Sequence, residues 1–186
     1  MASGSSRRRR ENYLAWEDYF MGVAKLAAQR SKDPNTQVGA CLVTEDKKII
    51  SIGYNGMPIG CSDDDFPWGR GIGNHDINNK HLYVCHAEMN AIVLNENPAN
   101  LKNCTIYVTL FPCNECAKVI IQAGIRNIVY LSDEKGHKKK FIAAKKMFDA
   151  VNIEPRRFIP RTEKIEINWN ELRNNDDMSD DGHGLE

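Results

Sequence analysis

Two short motifs, each at the start of a predicted helix, constrain this chain more than any other feature. The first is His86 followed two residues later by Glu88, and the second is Cys113 followed three residues later by Cys116. One imidazole and two thiolates suit a tetrahedral zinc ion, and a set of three leaves the fourth position open, as in catalytic rather than structural sites. We therefore expect the fold to bring the starts of two separate helices to one metal.

Glu88 has a position that suits a proton carrier. Two residues beyond His86 on a helix, it points elsewhere than the ligand does, toward the space where a bound water would lie. Zinc lowers the pKa of its water to near neutrality, and a nearby carboxylate can take that proton and return it to a leaving amine. Positive helix N-termini also stabilise the thiolates of Cys113 and Cys116. The motifs predict hydrolytic deamination.

Two alternative kinds of site stay open for these motifs. A structural zinc knot would need a fourth ligand in register with the other three. A thioredoxin-like redox pair at Cys113 and Cys116 would leave His86 and Glu88 without a role.

Helix and strand patterns alternate along the chain. Periodicity predicts helices over residues 16–30, 86–95, 113–123 and 138–150. It predicts a hairpin of strands at 37–43 and 49–54, with further strands at 105–110 and 127–131. The combination favours an α/β fold with three α/β/α layers, in which helices cover both faces of a mixed sheet of about five strands. The long loop between residues 55 and 81 lacks periodicity, and we expect it to frame a pocket.

The two ends of the chain differ from its middle. The 186 residues fit one domain, which we place at residues 14–172. Residues 1–13 read as a flexible basic arm, and residues 173–186 as a disordered acidic tail. The run from Arg7 to Arg10 is expected to be solvated, with nuclear import or polyanion binding as the alternative.

Charge and hydropathy limit the partners and the location. With 25 basic and 25 acidic residues the formal net charge is zero, which disfavours stable nucleic-acid binding. No stretch approaches the roughly 20 apolar residues that a membrane span needs, and the N-terminus lacks the apolar core of a secretion signal. We expect a cytoplasmic protein with no membrane contact, or a nuclear one if the arginine run acts as an import signal.

Beyond the metal motifs, several segments resemble the deoxycytidylate deaminases. His-x-Glu followed by Pro-Cys-x-x-Cys is the zinc nucleobase deaminase signature. The further resemblance lies at residues 31–35, 37–40, 53–58 and 111–116, and it extends from about residue 14 to residue 160. It implies the cytidine-deaminase-like version of the three-layer fold. It also implies hydrolysis of dCMP to dUMP and ammonia, which supplies the precursor of thymidylate.

The resemblance implies substrate contacts as well. Asn55 matches the family asparagine that bonds the sugar 3′-hydroxyl, although asparagine is also a common turn residue. Val38 and Ala40 match residues that form the floor under the pyrimidine, and an ordinary core role is equally open for both. Asn35 and Lys135 occupy places where relatives bind the 5′-phosphate. A lysine keeps the positive charge there without the bidentate geometry of an arginine.

Regulation is a further implication of the resemblance. It implies a homohexamer activated by dCTP and inhibited by dTTP, with Mg²⁺ accompanying the effector triphosphate. The candidate effector loop contains glycines and acidic residues that suit a metal-bound triphosphate: Gly56, Gly60, Asp63 and Asp64. The alternative is an ordinary solvated surface loop.

Two rival functions also stay open. The zinc motif is shared by deaminases that act on tRNA adenosine, single-stranded DNA, pteridine-like bases or free nucleosides, although the neutral charge argues against nucleic acid. A catalytically inactive zinc-binding subunit is the second rival, and the presence of Glu88 argues against it.

Overall fold

The computed structural model describes residues 9–72, 76–95 and 101–169. The predicted acidic tail at residues 173–186 lies outside these residues, as do Arg7 and Arg8 of the basic run. Arg9 and Arg10 are exposed. Within the described ranges, none of the helices is both long enough and apolar enough to cross a bilayer.

A mixed sheet of five strands forms the centre of the described structure. The strands are β1 (Gly39–Val43), β2 (Ile49–Tyr54), β3 (Thr105–Leu110), β4 (Asn127–Ser132) and β5 (Arg156–Arg157). Their order across the sheet is β2-β1-β3-β4-β5. β1 runs antiparallel to β2 and β3, whereas β4 runs parallel to β3 and β5. The predicted hairpin is therefore one edge of the sheet.

Helices cover both faces of the sheet. They are α1 (Trp16–Ala28), α2 (Ala87–Val93), α3 (Asn114–Gln122) and α4 (Lys139–Ala150), with a short 3₁₀ helix at Lys80–Leu82. Side chains of β1 alternate between the faces, as the strand period requires. Ala40 and Leu42 pack in a core with α2, α3 and α4, while Cys41 and Val43 pack with α1. The predicted three-layer α/β/α fold is confirmed.

α2 lies unusually close to β2, and a glycine makes the contact feasible. A Cβ atom at Gly53 would stand 2.2 Å from the carbonyl oxygen of Ala87 and 2.5 Å from the amide nitrogen of Ala91. The Asn90 side chain also donates to the carbonyl of Tyr54 over 2.8 Å. The helix that begins just after His86 is thus held directly on the strand.

The predicted helices and strands are present, with ends shifted by a few residues at most. β5 is the strand for which no pattern was identified. It consists of Arg156 and Arg157 alone, and two exposed arginines give no alternation of apolar and polar residues. Its pairing with β4 continues at Phe158, whose amide donates to the Tyr130 carbonyl over 2.7 Å.

Candidate active site

The starts of α2 and α3 meet, as the metal motifs predicted. His86 directly precedes α2, Cys113 directly precedes α3, and Cys116 lies in the first turn of α3. His86 Nδ1 is 3.2 Å from Cys116 Sγ and 3.4 Å from Cys113 Sγ, and the two sulfur atoms are 3.8 Å apart. One nitrogen and two sulfur atoms therefore converge on a single point.

The donor set fits zinc. Two thiolates at the usual Zn–S distance of about 2.3 Å in a tetrahedron lie about 3.8 Å apart, which is the separation between Cys113 and Cys116. Within the described part of the chain, the cluster of metal-ligating side chains contains His86, Cys113 and Cys116 and no fourth His, Cys, Asp or Glu. A set of three suits a catalytic metal with an open position rather than a structural knot.

The pKa values of the two thiols are shifted in opposite directions. A hydrogen bond with Cys116, with further help from His86, outweighs burial and lowers the pKa of the Cys113 thiol to about 3. The hydrogen bond with Cys113, followed by burial, raises the pKa of the Cys116 thiol. Because metal ligands must be deprotonated, a divalent cation bound here would displace any proton from these sulfur atoms.

Glu88 is a buried carboxylate beside this cluster. The residue is only 3% exposed, and burial raises the pKa of its carboxyl group above the ordinary value, against the opposing effect of His86. A raised pKa makes the protonated form of the carboxyl group easier to reach, which suits a general acid and base that must hold a proton and pass it on.

A cavity of about 170 Å³ contains Glu88, His86 and Cys113 in its wall. Other parts of the wall are apolar, including Val84 and Phe111. The wall has more basic than acidic side chains, since Asp33 and Glu88 are accompanied by five basic residues: Arg70, Lys80, Lys135, Lys138 and Lys140. An anionic ligand is therefore favoured there.

The structure brings three of the five predicted substrate residues to this cavity. Val38, Asn55 and Lys135 line it. Ala40 is fully buried in the core, and Asn35 is exposed outside the cavity lining. The cavity wall therefore contains one of the two predicted floor residues and one of the two predicted phosphate contacts.

Asn55 is held by the segment that precedes β1. Its Oδ1 accepts a hydrogen bond from the Val38 amide over 2.7 Å, and its Nδ2 donates to the Thr36 carbonyl over 3.0 Å. Lys135 reaches the same segment, because its Nζ donates to Thr36 Oγ1 over 3.1 Å. Burial lowers the pKa of the Lys135 ammonium group.

The candidate effector residues lie in a separate loop outside the cavity lining. Gly56 forms an isolated β-bridge with Cys85, and Gly60 has a φ of +88° with open space around it. Asp63 forms an ion pair with Lys32, and Asp64 is exposed.

Several cavity residues carried no signal that sequence analysis identified. Asp33 lies inside a segment that resembles the family, but no role was assigned to it. Arg70 and Lys80 stand in the aperiodic loop, where a single basic residue indicates nothing. Lys138 and Lys140 had a usable signal, since the helix dipole disfavours cations in the first turn unless an anion binds beside them.

Comparison with known proteins identifies the family. The model of the cytidine and deoxycytidylate deaminase zinc-binding region matches residues 14–132. The chain belongs to this family. A deoxycytidylate deaminase of Homo sapiens is 52% identical over 167 residues, which is 90% of this chain and 93% of the relative. That of Mus musculus is 51% identical over 170 residues, or 91% and 94% of the two chains. Our chain is thus a zinc-binding deaminase, a hydrolase, and the resemblance stated from its sequence is confirmed.

A solved structure supports the fold assignment. The dCMP deaminase from the cyanophage S-TIM5, in complex with dCMP and dUMP, superposes with a TM-score of 0.58 at 23% identity. The match covers 81% of this chain and 100% of that chain. At this identity the likeness shows the fold alone, and it confirms the cytidine-deaminase-like architecture.

Proposed function

We propose that this chain hydrolyses dCMP to dUMP and ammonia, which would supply the precursor of thymidylate. The observation that carries the proposal is one cavity that joins a three-ligand zinc site and buried Glu88 to a cluster of basic side chains. Relatives named deoxycytidylate deaminase, at 52% identity over nine-tenths of the chain, support the same substrate.

Glu88 performs the proton transfers of the reaction. When bound, zinc supplies a hydrolytic water that is reactive at neutral pH. The Glu88 carboxylate accepts a proton from the attacking water and delivers it to N3 of the pyrimidine as the water oxygen bonds to C4. Glu88 then moves the remaining hydroxyl proton to the amino nitrogen at C4. The C–N bond breaks, a carbonyl remains at C4 with a proton on N3, and ammonia leaves. Burial of Glu88 favours its protonated form and so helps it return the proton.

The cations of the cavity favour a nucleotide over a nucleoside. Within the described ranges, the salt bridges include none formed by Arg70, Lys135, Lys138 or Lys140. A phosphate monoester carries up to two negative charges, so it would relieve the mutual repulsion of these side chains. The relief of repulsion would be largest for Lys138 and Lys140, because they lie at the positive N-terminal end of α4.

The test of the proposal compares substrates side by side. Ammonia release is measured with dCMP, CMP, deoxycytidine and a short cytosine-containing oligonucleotide, each with and without a zinc chelator. We expect chelator-sensitive turnover confined largely to dCMP. If only deoxycytidine or only the oligonucleotide is turned over, zinc-dependent deamination is supported, but dCMP as the substrate is refuted.

The phosphate contacts are tested by three lysines that stand in a row. Lys138 and Lys140 line the cavity, whereas Lys139 between them does not. A double Lys138→Ala and Lys140→Ala variant is expected to lower kcat/KM for dCMP by about tenfold or more, since a hydrogen bond to a charged group contributes about 1.5–3 kcal/mol. Lys139→Ala is the matched control. Equal losses in both proteins would refute the assignment.

We also infer regulation through the loop at residues 56–65. Gly56 donates to the Cys85 carbonyl over 3.1 Å and accepts from the Cys85 amide over 2.9 Å, and Cys85 directly precedes His86. A ligand that moves this loop would therefore act on the metal site. Activation by dCTP and inhibition by dTTP should appear as changed rate or cooperativity when each is titrated into steady-state assays. Mg²⁺ with the effector and a homohexamer stay predictions of the family resemblance.

A further inference from the structure

A buried ion pair lies in the cavity wall, away from the zinc ligands. Lys80 Nζ donates to both carboxylate oxygens of Asp33 over 2.6 Å, and both side chains are only 4% exposed. The partners are far apart in sequence, so the pair joins the segment before β1 to the short 3₁₀ helix at Lys80–Leu82. A buried pair of this kind is weak evidence for a role in stability, because apolar replacements are often neutral or stabilising.

The carboxylate of Asp33 organises more than its cation. Oδ1 also accepts the backbone amides of Asn35 over 2.8 Å and Thr36 over 3.1 Å, and Oδ2 accepts Nδ2 of Asn55 over 3.4 Å. Burial would raise the pKa of Asp33. The hydrogen bonds from Lys80 and from the backbone amides of Asn35 and Thr36 outweigh this effect of burial, so the pKa is lowered. One charged carboxylate thus ties three separate segments together.

The segments that Asp33 joins form the part of the cavity where the sugar and phosphate of a nucleotide are proposed to bind. Thr36, Val38 and Asn55 all line the cavity. Lys80 lines it too, but its charge is neutralised by Asp33, so it differs from Arg70, Lys135, Lys138 and Lys140, which form no salt bridge with another described residue. Its contribution to ligand binding is therefore indirect.

We propose that Asp33 and Lys80 are a positioning pair, which fixes Asn55 and the residue 35–38 segment for the sugar–phosphate end of the substrate. The pair does not touch Glu88 or the zinc ligands among the described contacts. It therefore sets the affinity for substrate and leaves the proton transfer at Glu88 unchanged. This assignment rests on the proposed dCMP deaminase activity for its kinetic test.

The kinetic test separates KM from kcat. Asp33→Asn keeps the shape of the side chain and removes the charge that holds Lys80. We expect KM for dCMP to rise about tenfold or more, with kcat within about threefold of wild type and zinc content unchanged. Lys80→Met should have a similar effect, since it leaves the Asp33 charge buried without its partner. The double variant should be less impaired than the product of the single effects predicts, because it leaves no unpaired buried charge.

Lys25→Met is the matched control, since Lys25 is an exposed lysine of α1 outside the cavity lining. Its KM should stay at the wild-type value. A KM for Asp33→Asn no higher than that of the control would overturn the proposal, as would a loss confined to kcat. If Asp33→Asn does not fold, Lys80→Gln, which keeps a donor for Asp33 and removes the charge, supplies the same comparison.

A second readout does not depend on the substrate. In zinc-loaded protein without nucleotide, the Val38 amide, which donates to Asn55, should exchange its hydrogen about tenfold faster in Asp33→Asn than in wild type. The Ile106 amide in β3 should be unchanged. Unchanged exchange at Val38 would refute the positioning role even if the enzyme deaminates dCMP. Faster exchange in a protein that does not turn over dCMP would refute only the proposed function.

Discussion

At the scale of single residues, the environment of Glu88 decides what the site can do. Burial alone would make a carboxyl group an acid that holds its proton, whereas His86 beside it favours the charged form. A group placed between these opposing influences can exchange a proton in both directions. His86, Cys113 and Cys116 are the candidate metal ligands, so the Glu88 carboxylate is available to exchange protons with the substrate.

Glu88→Gln tests this division of roles. The amide keeps the size of the side chain and cannot carry the proton, so kcat should fall by about 10²–10⁴-fold. Zinc content, measured by atomic absorption, should match wild type. Glu115→Gln is the control, since Glu115 lies between the two cysteines but is exposed and pairs with Lys118. Wild-type turnover in Glu88→Gln would end the assignment, and loss of zinc would make Glu88 a ligand instead.

The residues that sequence analysis found and those it missed differ in how their partners are arranged. His86, Glu88, Cys113 and Cys116 stand in two compact motifs whose spacing alone indicates metal chemistry. Asp33 has contacts with Lys80 that bridge 47 residues of sequence, and neither residue type signals such a pairing. Long-range pairs of charged residues become visible only when the loops that hold them are placed.

At the scale of secondary structure, α2 is positioned by its contact with β2. Gly53 pairs with Ala40 across the sheet and faces the helix, where a side chain would meet backbone atoms rather than flexible groups. Backbone cannot move aside as a side chain can, so the helix itself would shift. A shift at this point moves the helix end that follows His86 and contains Glu88.

Gly53→Ala should therefore lower both stability and activity. Overpacking of a well-packed core costs about 1–3 kcal/mol, and a displacement of about 1 Å in catalytic groups can reduce the rate about 10²-fold. Thermal unfolding and kcat for dCMP are the measurements. Gly69→Ala is the control, because a Cβ there meets nothing closer than 4.0 Å. If Gly53→Ala retains wild-type kcat, the close contact does not position the site.

Elements with a clear period were predictable, and those without one were not. β3 was predicted at the bounds it has, because its apolar residues form a buried strand between β1 and β4. β5 is two exposed arginines that pair with β4 at the sheet edge. Its formation depends on the tertiary position of β4 rather than on any local preference.

At the scale of the whole molecule, the zinc ligands come from two helices that lie over different strands of the sheet and meet at their starts. α2 packs on β2 and β1 at one side, while α3 follows β3 near the centre of the sheet. The three ligands lie at the starts of α2 and α3, which pack on the same face of the sheet. A ligand that binds only the folded state stabilises it by mass action, so zinc should contribute to the stability of the domain as well as to catalysis.

Removal of zinc should accordingly lower the unfolding temperature. At a free zinc concentration of about 1,000 times Kd, the linkage amounts to about 4 kcal/mol, and about 1 kcal/mol shifts Tm by roughly 2–4 °C in a domain of this size. Calorimetry with and without chelator should therefore show a decrease of roughly 10 °C, reversed when zinc is restored. Glu88→Gln should show the same decrease because Glu88 is not a ligand, whereas Cys116→Ser should show little response to chelator. A Tm that is independent of zinc in the wild-type protein would mean that the packing of α2 and α3 alone holds the site together.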